Sequence, residues 1–342
     1  MTRPGGTSVT TLSGRRLRPA VTVRYRDGIE IELSDGTRVV CDADVPDGDV
    51  NVVSHAHGDH WPEGEVTAVC SPLTAALASV RRDVPLHRTT DRRVELLPAG
   101  HVAGSRAALV TDPDGTRYLY TGDVCTRSRF YLDGFRPPPA DVLVVEATYG
   151  DPEYVFPEHA ALADDIRRWL AETTEPVLVL GYALGRAQKL QVLARQADRD
   201  RVLTTDAVRR VNETIEAHRD VRFDAVPYES DTELTAGDAL VLPMTSGRVD
   251  WVDRLADDAG AVKAGFSGWA VDASFRFRGD YDVTFPLSDH CDFEELLTLV
   301  EAVDPERVYT QHGAAAALAS QLTDAGYDAT ALRQNQTSLG DF

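Results

Sequence analysis

Cysteine is scarce in this sequence of 342 residues, and long apolar runs are missing. The four cysteines, Cys41, Cys70, Cys125 and Cys291, lie far apart, and none belongs to a Cys-x-x-Cys pair. This spacing indicates neither a disulfide framework nor a zinc site built from thiolates, so we expect buried free thiols. Because there is neither a long apolar run nor an N-terminal signal pattern, we expect a soluble, cytoplasmic protein with no membrane partner.

Lysine is almost absent as well. Only Lys189 and Lys263 are lysines among 35 basic residues, and 55 acidic residues bring the net charge to −20. A uniformly acidic, lysine-poor composition resembles that of proteins from a halophilic archaeon. In molar salt the Debye length is about 3 Å, which screens the repulsion between such a chain and a polyanion. The charge therefore does not exclude a nucleic-acid substrate, but any contact with phosphate has to be local.

The His-Ala-His-Gly-Asp-His motif at residues 55–60 concentrates four side chains that can bind a metal. It follows residues 50–53, an apolar run typical of a buried strand. His55 and His57 are two residues apart, so in extended chain their imidazoles point to the same side and can share one ion. Asp59 and His60 follow a turn and could face a second ion. A polar surface loop is the alternative, but four such side chains in six residues have no structural use. Imidazole and carboxylate ligands suit zinc or manganese.

The same arrangement, an apolar strand that ends in a side chain able to bind a metal, recurs along the chain. It is found at His55, His101, Asp123, Glu146, His290 and His312. Because ligands gather at strand ends in α/β sheets, these residues can converge in space. Three histidines lie instead in charged segments and are interpreted as surface residues: His87, His159 and His218.

The length allows one large domain or two of ordinary size. Residues 1–12 are polar and are expected to be frayed, and a first strand is predicted over residues 21–24. From about residue 157 to 280 helices alternate with strands, which predicts a parallel α/β layer. The candidate metal ligands lie on both sides of this part. We therefore predict a metal-binding core of residues 1–150 and 286–342, and an inserted domain of residues 151–285 that covers the active site.

These motifs resemble the metallo-β-lactamase fold, an α/β fold with an αββα sandwich. They resemble in particular its nucleic-acid-processing β-CASP branch, in which an α/β cap domain is inserted. The motif at residues 55–60 is similar to the signature of the fold, and His101 and Asp123 match its next two ligand positions. Asp42 resembles the acid that orients a ligand from behind. The resemblance covers nearly the whole chain.

Later motifs carry the resemblance to the β-CASP branch. They are Glu-Ala-Thr-Tyr-Gly at residues 146–150, Ser-Asp-His-Cys-Asp at 288–292, Gln-His-Gly at 311–313 and Gly-Arg-Ala-Gln at 185–188. Together with the length and the Phe-Ser-Gly-Trp segment at 266–269, they look most like a compact archaeal and bacterial group. That group comprises exonucleases and messenger-RNA 3′-end processing factors, and some bacterial members are associated with a DNA ligase.

The resemblance implies two divalent metal ions, zinc or alternatively manganese, with Asp123 between them. The ligands of one ion would be His55, His57, His101 and Asp123. The ligands of the other would be Asp59, His60, Asp123 and His312. Two such ions can activate water and clamp a scissile phosphate.

The resemblance also implies catalytic and substrate-binding roles. Asp59, His290 and Glu146 would be catalytic, with His290 protonating the leaving oxygen while Glu146 orients it. Backbone phosphate would be bound by the helix start, namely Gly185, Arg186 and Lys189. The alternative for the two cations is an ordinary solvated helix face. Trp269 could stack on a base or belong to the core.

Three classes of function compete. The leading hypothesis is a two-metal phosphodiesterase that cleaves RNA or DNA, with a single strand favoured. The second is a metal-dependent hydrolase of a small thioester or lactam. The inserted domain and the pair of Glu146 and His290 argue against it, because they would cover and serve a phosphodiester. The third is a non-catalytic subunit, but such relatives usually have broken ligand motifs, and each ligand is present here.

The choice between RNA and DNA stays open at this point. His312 is similar to the residue of RNA-processing members, which favours RNA processing. The kinship with the compact, ligase-associated group favours DNA repair, and with it a DNA ligase or helicase as partner.

Overall fold

The computed structural model describes residues 23–333, apart from 245 and 247–249. The predicted fraying of residues 1–12 and the first half of the strand predicted over residues 21–24 lie outside the described residues. The described strands are β1 (Val23–Tyr25), β2 (Ile29–Glu32), β3 (Arg38–Cys41), β4 (Val50–Val52), β5 (Val66–Val69), β6 (Leu86–Thr89), β7 (Val94–Pro98), β8 (Arg106–Thr111), β9 (Arg117–Tyr120), β10 (Val142–Glu146), β11 (Val177–Gly181), β12 (Arg201–Thr204), β13 (Val226–Pro227), β14 (Asp238–Pro243), β15 (Val262–Phe266), β16 (Val283–Phe285), β17 (Arg307–Gln311) and β18 (Ala329–Ala331).

Helices alternate with these strands. The described α-helices are α1 (Pro72–Arg81), α2 (His159–Glu172), α3 (Arg186–Gln196), α4 (Asp206–His218), α5 (Asp250–Ala259), α6 (Ser274–Arg278), α7 (Phe293–Val303) and α8 (Ala315–Asp324). A short 3₁₀ helix, Gly268–Val271, precedes α6. Within the described part of the chain, no helix is both long and apolar enough to cross a membrane.

The strands form three six-stranded sheets within the described residues. The first sheet has the order β1-β2-β3-β4-β5-β6, and the second has the order β18-β17-β10-β9-β8-β7. Both sheets are mixed: β2 pairs with β3, and β8 with β9, in antiparallel fashion, whereas β4 and β10 have parallel neighbours. The third sheet, β13-β12-β14-β11-β15-β16, is parallel throughout. This confirms the parallel layer predicted for residues 157–280.

The first two sheets pack face to face with helices outside them. In β10, Val144 lies in the core between the two sheets, whereas Leu143 and Val145 pack on the other face with α7 and α8. Side chains alternate between faces with a period of two, so a strand covered on both faces is apolar at every position. On the far side of the first sheet, Ala78 of α1 packs with Ala68 of β5. The layers therefore follow the order α, β, β, α, which confirms the predicted sandwich.

The third sheet is a second α/β unit. In β11, Val177 and Val179 pack against α2 and α3, whereas Leu178 and Leu180 face α5. All four side chains are at most 1% exposed, and each contributes about 1.5–3 kcal/mol by leaving water.

Helix α4 joins this unit to the sandwich. Its Val211 and Ile215 pack against Leu73 and Leu77 of α1, and the same cluster contains Leu184 from the start of α3. This apolar contact fixes the start of α3 beside the loops that follow the strands of the sandwich.

Candidate metal centre

The candidate ligands follow strands whose ends meet at one edge of the sandwich. In the first sheet, Cys41 is the parallel partner of Val52, so Asp42 lies beside the segment that leads into residues 55–60. In the second sheet, the last residue of β10, Glu146, is the parallel partner of Gln311, which precedes His312. The predicted convergence of strand ends is therefore the arrangement seen in the structure.

The structure brings together the first predicted set of four ligands. Nδ1 of His57 lies 3.0 Å from Nε2 of His55 and 3.2 Å from Nε2 of His101. The two Nε2 atoms of His55 and His101 each lie 3.4 Å from Oδ2 of Asp123. Tetrahedral zinc with ligands at about 2.0–2.1 Å holds its ligand atoms about 3.3 Å apart. These four distances are close to that spacing, and all four ligand atoms lie within 4.8 Å of one another.

The second predicted set is assembled only in part. Nε2 of His60 lies 3.4 Å from Oδ1 of Asp123, so one oxygen of this carboxylate faces His55 and His101 and the other faces His60. The ring of His312 is 5.4 Å from that of His60, and Asp59 is exposed. Among residues 23–333 as described, the clusters whose ligand atoms lie within 4.8 Å of one another include neither Asp59 nor His312.

Asp42 contacts this group from the side of the first sheet, at the position where the resemblance implies an orienting acid. Its buried carboxylate accepts hydrogen bonds from the backbone N–H of Ser54 at 2.7 Å and from the hydroxyl of Tyr120 at 2.7 Å. It also accepts from Nδ1 of His60 at 3.0 Å, which leaves Nε2 of His60 directed at Asp123. Such contacts fix the orientation and the tautomer of a ligand.

Backbone carbonyls fix two other imidazoles in the same way. Nε2 of His57 lies 3.0 Å from the carbonyl oxygen of Leu184, and Nδ1 of His101 lies 3.0 Å from that of Asp289. Because a carbonyl can only accept, each of these nitrogens is the donor. The opposite nitrogens, Nδ1 of His57 and Nε2 of His101, are thereby left with lone pairs toward the ligand cluster.

His290 lies beside the first set without belonging to it. Its ring centroid is 4.4 Å from that of His101, and its Nδ1 is 4.0 Å from Oδ2 of Asp123. The same Nδ1 donates to Glu146, at 2.8 Å from Oε1 and 3.0 Å from Oε2. Glu146 is itself held, because its Oε1 accepts the backbone N–H of Val124 at 2.8 Å.

Burial and neighbouring charges separate the protonation states of the cluster. Burial, reinforced by adjacent imidazoles, lowers the pKa of His57 and of His101 well below the usual value. Burial raises the pKa of the Asp123 carboxyl, but His60 and His290 outweigh it and hold that pKa well below normal. A metal ligand has to be a neutral imidazole or a carboxylate, and the direction of all three shifts favours that form.

The pKa values of two other histidines are raised. Burial lowers the pKa of His60, but Asp123 and Asp42 raise it to about 10. Burial also lowers the pKa of His290, but Glu146 and Asp123 raise it to about 9. A cation bound at His60 would displace the proton held there, whereas His290 can keep its proton through its contact with Glu146.

The residues predicted to bind phosphate occupy a different environment. Arg186 and Lys189 are 1% and 0% exposed, which rules out a solvated helix face. Nζ of Lys189 bonds to Oδ1 of Asp289, and Nε of Arg186 lies 3.3 Å from Oδ2. Both cations are therefore paired with one buried carboxylate, and their binding of phosphate stays a prediction. Gly185 begins α3 with φ +107°, and its N–H already donates to Oε1 of Gln188 at 2.7 Å.

Trp269 is neither a core residue nor fully open. Its side chain is 37% exposed and lies against two tyrosines, with ring centroids 4.8 Å from Tyr149 and 5.0 Å from Tyr154. Tyr149, Asp289 and Tyr182 border the centre and were not singled out from the sequence. Tyr149 lies inside the Glu-Ala-Thr-Tyr-Gly motif and Asp289 inside the Ser-Asp-His motif, so the motifs could have identified these two residues from the sequence.

The fold and the centre define the class: a metallo-β-lactamase-like α/β sandwich with a histidine and aspartate cluster at its strand ends. A solved structure, that of a protein of unknown function from Enterococcus faecalis V583, shares this fold. It has a TM-score of 0.61 at 13% identity and covers 92% of this chain and 96% of the other. No protein-family profile matches the chain.

Relatives by sequence are named for nucleic-acid enzymes. The chain is 36% identical over 307 residues to a probable DNA ligase of Opitutus terrae, covering 84% of this chain and 29% of that protein. It is 24% identical over 295 residues to the DNA cross-link repair protein SNM1 of Arabidopsis thaliana, covering 75% and 59%. It is 33% identical over 110 residues to an RNase J-like protein of Methanocaldococcus jannaschii, covering 31% and 26%.

This chain therefore spans less than two thirds of the length of these relatives. These similarities, together with the fold, indicate the metallo-β-lactamase/β-CASP family.

Proposed function

We propose that this chain is a two-metal nuclease that hydrolyses phosphodiester bonds of RNA or DNA, as an exonuclease or a messenger-RNA 3′-end processing factor does. The observation that carries the proposal is the position of Asp123, whose two oxygens face His55 and His101 on one side and His60 on the other. The proposal also includes the domain division predicted from the sequence, with residues 151–285 as a cap over the cleft.

His55, His57, His101 and Asp123 would hold one ion, and His60 and Asp123 would hold the other. Asp59 and His312, which lie beside His60 in sequence and in space respectively, would complete the second site. When bound, two divalent ions supply Lewis-acid activation of water and neutralise charge on the scissile phosphate. Zinc or manganese, and a count of two, are parts of this proposal.

His290 and Glu146 would supply the proton for the leaving oxygen. Nδ1–H of His290 donates to Glu146, which leaves Nε2–H directed away from that carboxylate and available to protonate a leaving oxygen. The contact with Glu146 also stabilises the imidazolium. The arrangement fits phosphodiester hydrolysis, in which the departing alkoxide needs a proton.

The names of the relatives support nucleic acid as substrate, since they include an RNase J-like protein and a DNA cross-link repair protein. The match to a probable DNA ligase supports a DNA ligase as partner, and a helicase as partner stays a prediction. A cytoplasmic location and an origin in a salt-loving archaeon stay predictions too.

The test is the degradation of end-labelled single- and double-stranded RNA and DNA at high salt, with zinc or manganese added. We expect cleavage by the unaltered protein and by His87→Ala, because His87 is exposed and far from the cluster in the first sheet. We expect no cleavage by His57→Ala. Hydrolysis of a small thioester or lactam in place of every oligonucleotide would contradict the nuclease and favour the second class of function.

A further inference from the structure

A cavity of about 660 Å³ opens in the third-sheet unit, within the volume range of ligand pockets in proteins. Its walls are chiefly aromatic. The side chains that line it include Tyr182, Met244, Trp269, Phe275, Arg278 and Tyr281. None of these residues belongs to the candidate metal centre, so the cavity is a separate feature that needs its own explanation.

The cavity adjoins the metal centre at two points. The ring of Tyr182 is 6.0 Å from that of His57, a candidate ligand. On the other side, Trp269 is 4.8 Å from Tyr149, whose ring is 5.9 Å from that of His290. A strand with one phosphate at the centre would therefore place a neighbouring nucleotide at the mouth of the cavity.

Two of its walls expose large aromatic surfaces. Tyr182 is 51% exposed and Trp269 is 37% exposed. Exposed apolar patches of this kind commonly mark binding sites. Flat aromatic surfaces next to a phosphodiester site suit the π-faces of nucleobases, which all bases have in common.

Two glycines position one wall of the cavity. A Cβ added at Gly265 would lie 2.5 Å from Cδ2 of Tyr281, and one added at Gly279 would overlap the same ring. The two glycines thus allow the ring of Tyr281 to lie directly on the backbone, where it forms a wall with Phe275 at 5.5 Å. A side chain at either position would displace this wall.

One cation stands at the edge of this aromatic surface. Arg278 pairs with Asp272 at 3.7 Å, and the two side chains are 60% and 53% exposed. Exposed pairs of this kind are weak, so the guanidinium can turn to a phosphate. In a chain with net charge −20, such a contact has to be local.

We propose that this cavity is a nucleobase subsite, which receives one unpaired base of the nucleic-acid strand next to the scissile phosphate, with Trp269 and Tyr182 stacking and Arg278 contacting the backbone. The proposal rests on the proposed nuclease function and adds to it a reason for selecting single strands. A base that is paired and stacked within a duplex cannot enter the cavity without leaving its partner.

The test measures binding without cleavage. A fluorescein-labelled single-stranded DNA of ten nucleotides, and its RNA counterpart, are titrated with the full chain in the presence of a chelator, and the dissociation constant is read from anisotropy. A series of oligonucleotides carries one abasic nucleotide at each successive position. We expect one or two positions at which loss of the base weakens binding about 5- to 100-fold, the range of base–aromatic stacking.

Substitutions test whether the dependence of binding on the base comes from Trp269. Trp269→Ala should weaken binding of the complete oligonucleotide by a similar factor and should abolish the sensitivity to the abasic position, whereas Trp269→Phe should retain part of both. Phe277→Ala is the matched control, because Phe277 is on the same short helix α6 as Phe275, is 80% exposed and does not line the cavity. Equal thermal unfolding of the variants shows that each is folded.

Two results would overturn the subsite: an abasic series with no sensitive position, or the same affinity for Trp269→Ala and Phe277→Ala. Cleavage is measured separately, after metal is restored. If binding depends on the base but no cleavage occurs, the proposed nuclease function is contradicted and the subsite is retained. A chain that cleaves with a uniform abasic series contradicts the subsite and keeps the nuclease.

Discussion

Nδ1 of His290 lies 2.8 Å from Oε1 of Glu146, and this contact favours the protonated form of an imidazole that borders the candidate metal centre. Burial alone would lower the pKa of His290, and Glu146 and Asp123 raise it to about 9. Glu146 keeps its place because Val124 N–H also donates to it. Because Asp123, Glu146 and His290 also bring their ligand atoms within 4.8 Å of one another, an experiment has to separate proton donation by His290 from metal binding.

We expect His290→Ala to keep its metal ions and its affinity for nucleic acid but to cleave at least roughly a hundredfold more slowly, since loss of a general acid costs about 10²–10⁴-fold. Metal content, binding in chelator and single-turnover cleavage are measured on the same preparation. Release of a metal ion by His290→Ala would identify the residue as a ligand. Cleavage at the normal rate would remove its role as the acid.

Metal content is a separate prediction. We expect roughly two divalent ions per chain, because one oxygen of Asp123 faces His55 and His101 and the other faces His60. Elemental analysis after dialysis against zinc or manganese measures the ratio. His57→Ala should lose at least one ion because Nδ1 of His57 lies between the Nε2 atoms of His55 and His101. His87→Ala should keep the full content, and a ratio near zero in the unaltered protein would contradict the metal centre.

The ends of the buried strands could be predicted from the sequence, because a strand that is buried on both faces is an uninterrupted apolar run. Strand β10 is apolar from Val142 to Val145 and ends in Glu146, and it lies where the sequence placed it. Helix α1 begins at Pro72, next to the Ser71-Pro72 pair where the sequence predicts its start, and Ser71 caps it by accepting the N–H of Thr74. Strand β6 was not predicted, since only Leu86 among its four residues is buried.

The environment of charged residues could not be predicted from local patterns. Lys189 lies in a polar stretch of α3 that reads as a solvated face, and its partner Asp289 is a hundred residues away. Burial is thus decided by a contact between distant parts of the chain. The same holds for His159, which was interpreted as a surface residue but is half-buried, with its ring 5.2 Å from that of Phe130.

The buried charges around Asp289 lead to a prediction about stability. Its carboxylate is the counter-charge of Lys189 and Arg186, and all three side chains are at most 2% exposed. We expect Asp289→Asn to lower the free energy of unfolding by about 3–5 kcal/mol, because removing one partner leaves buried charges uncompensated. Unfolding in guanidinium chloride measures the change.

The matched control is Asp165→Asn, which breaks an ion pair with Arg168 at 2.8 Å on the surface, where both side chains are more than 60% exposed. We expect a change below about 1 kcal/mol there. Equal losses for the two variants would show that the cluster around Asp289 contributes no more than a surface pair.

His159 makes the stability depend on pH. Burial, and then the charges of Arg129 and Arg127, lower the pKa of His159 from 6.5 to about 4. Because the unfolded chain binds this proton more readily, the contribution to stability is complete above about pH 6.5 and is lost as the pH falls toward 4. We therefore expect the melting temperature of the unaltered protein to fall more steeply over this window than that of His159→Gln, by about 2 °C or more.

Melting curves in chelator, at several pH values, measure the difference without a contribution from bound metal. His218→Gln, which changes an exposed histidine at the end of α4, serves as control and should follow the unaltered protein. Parallel curves for the unaltered protein and His159→Gln would show that the burial of His159 against Phe130 does not disfavour its charged form.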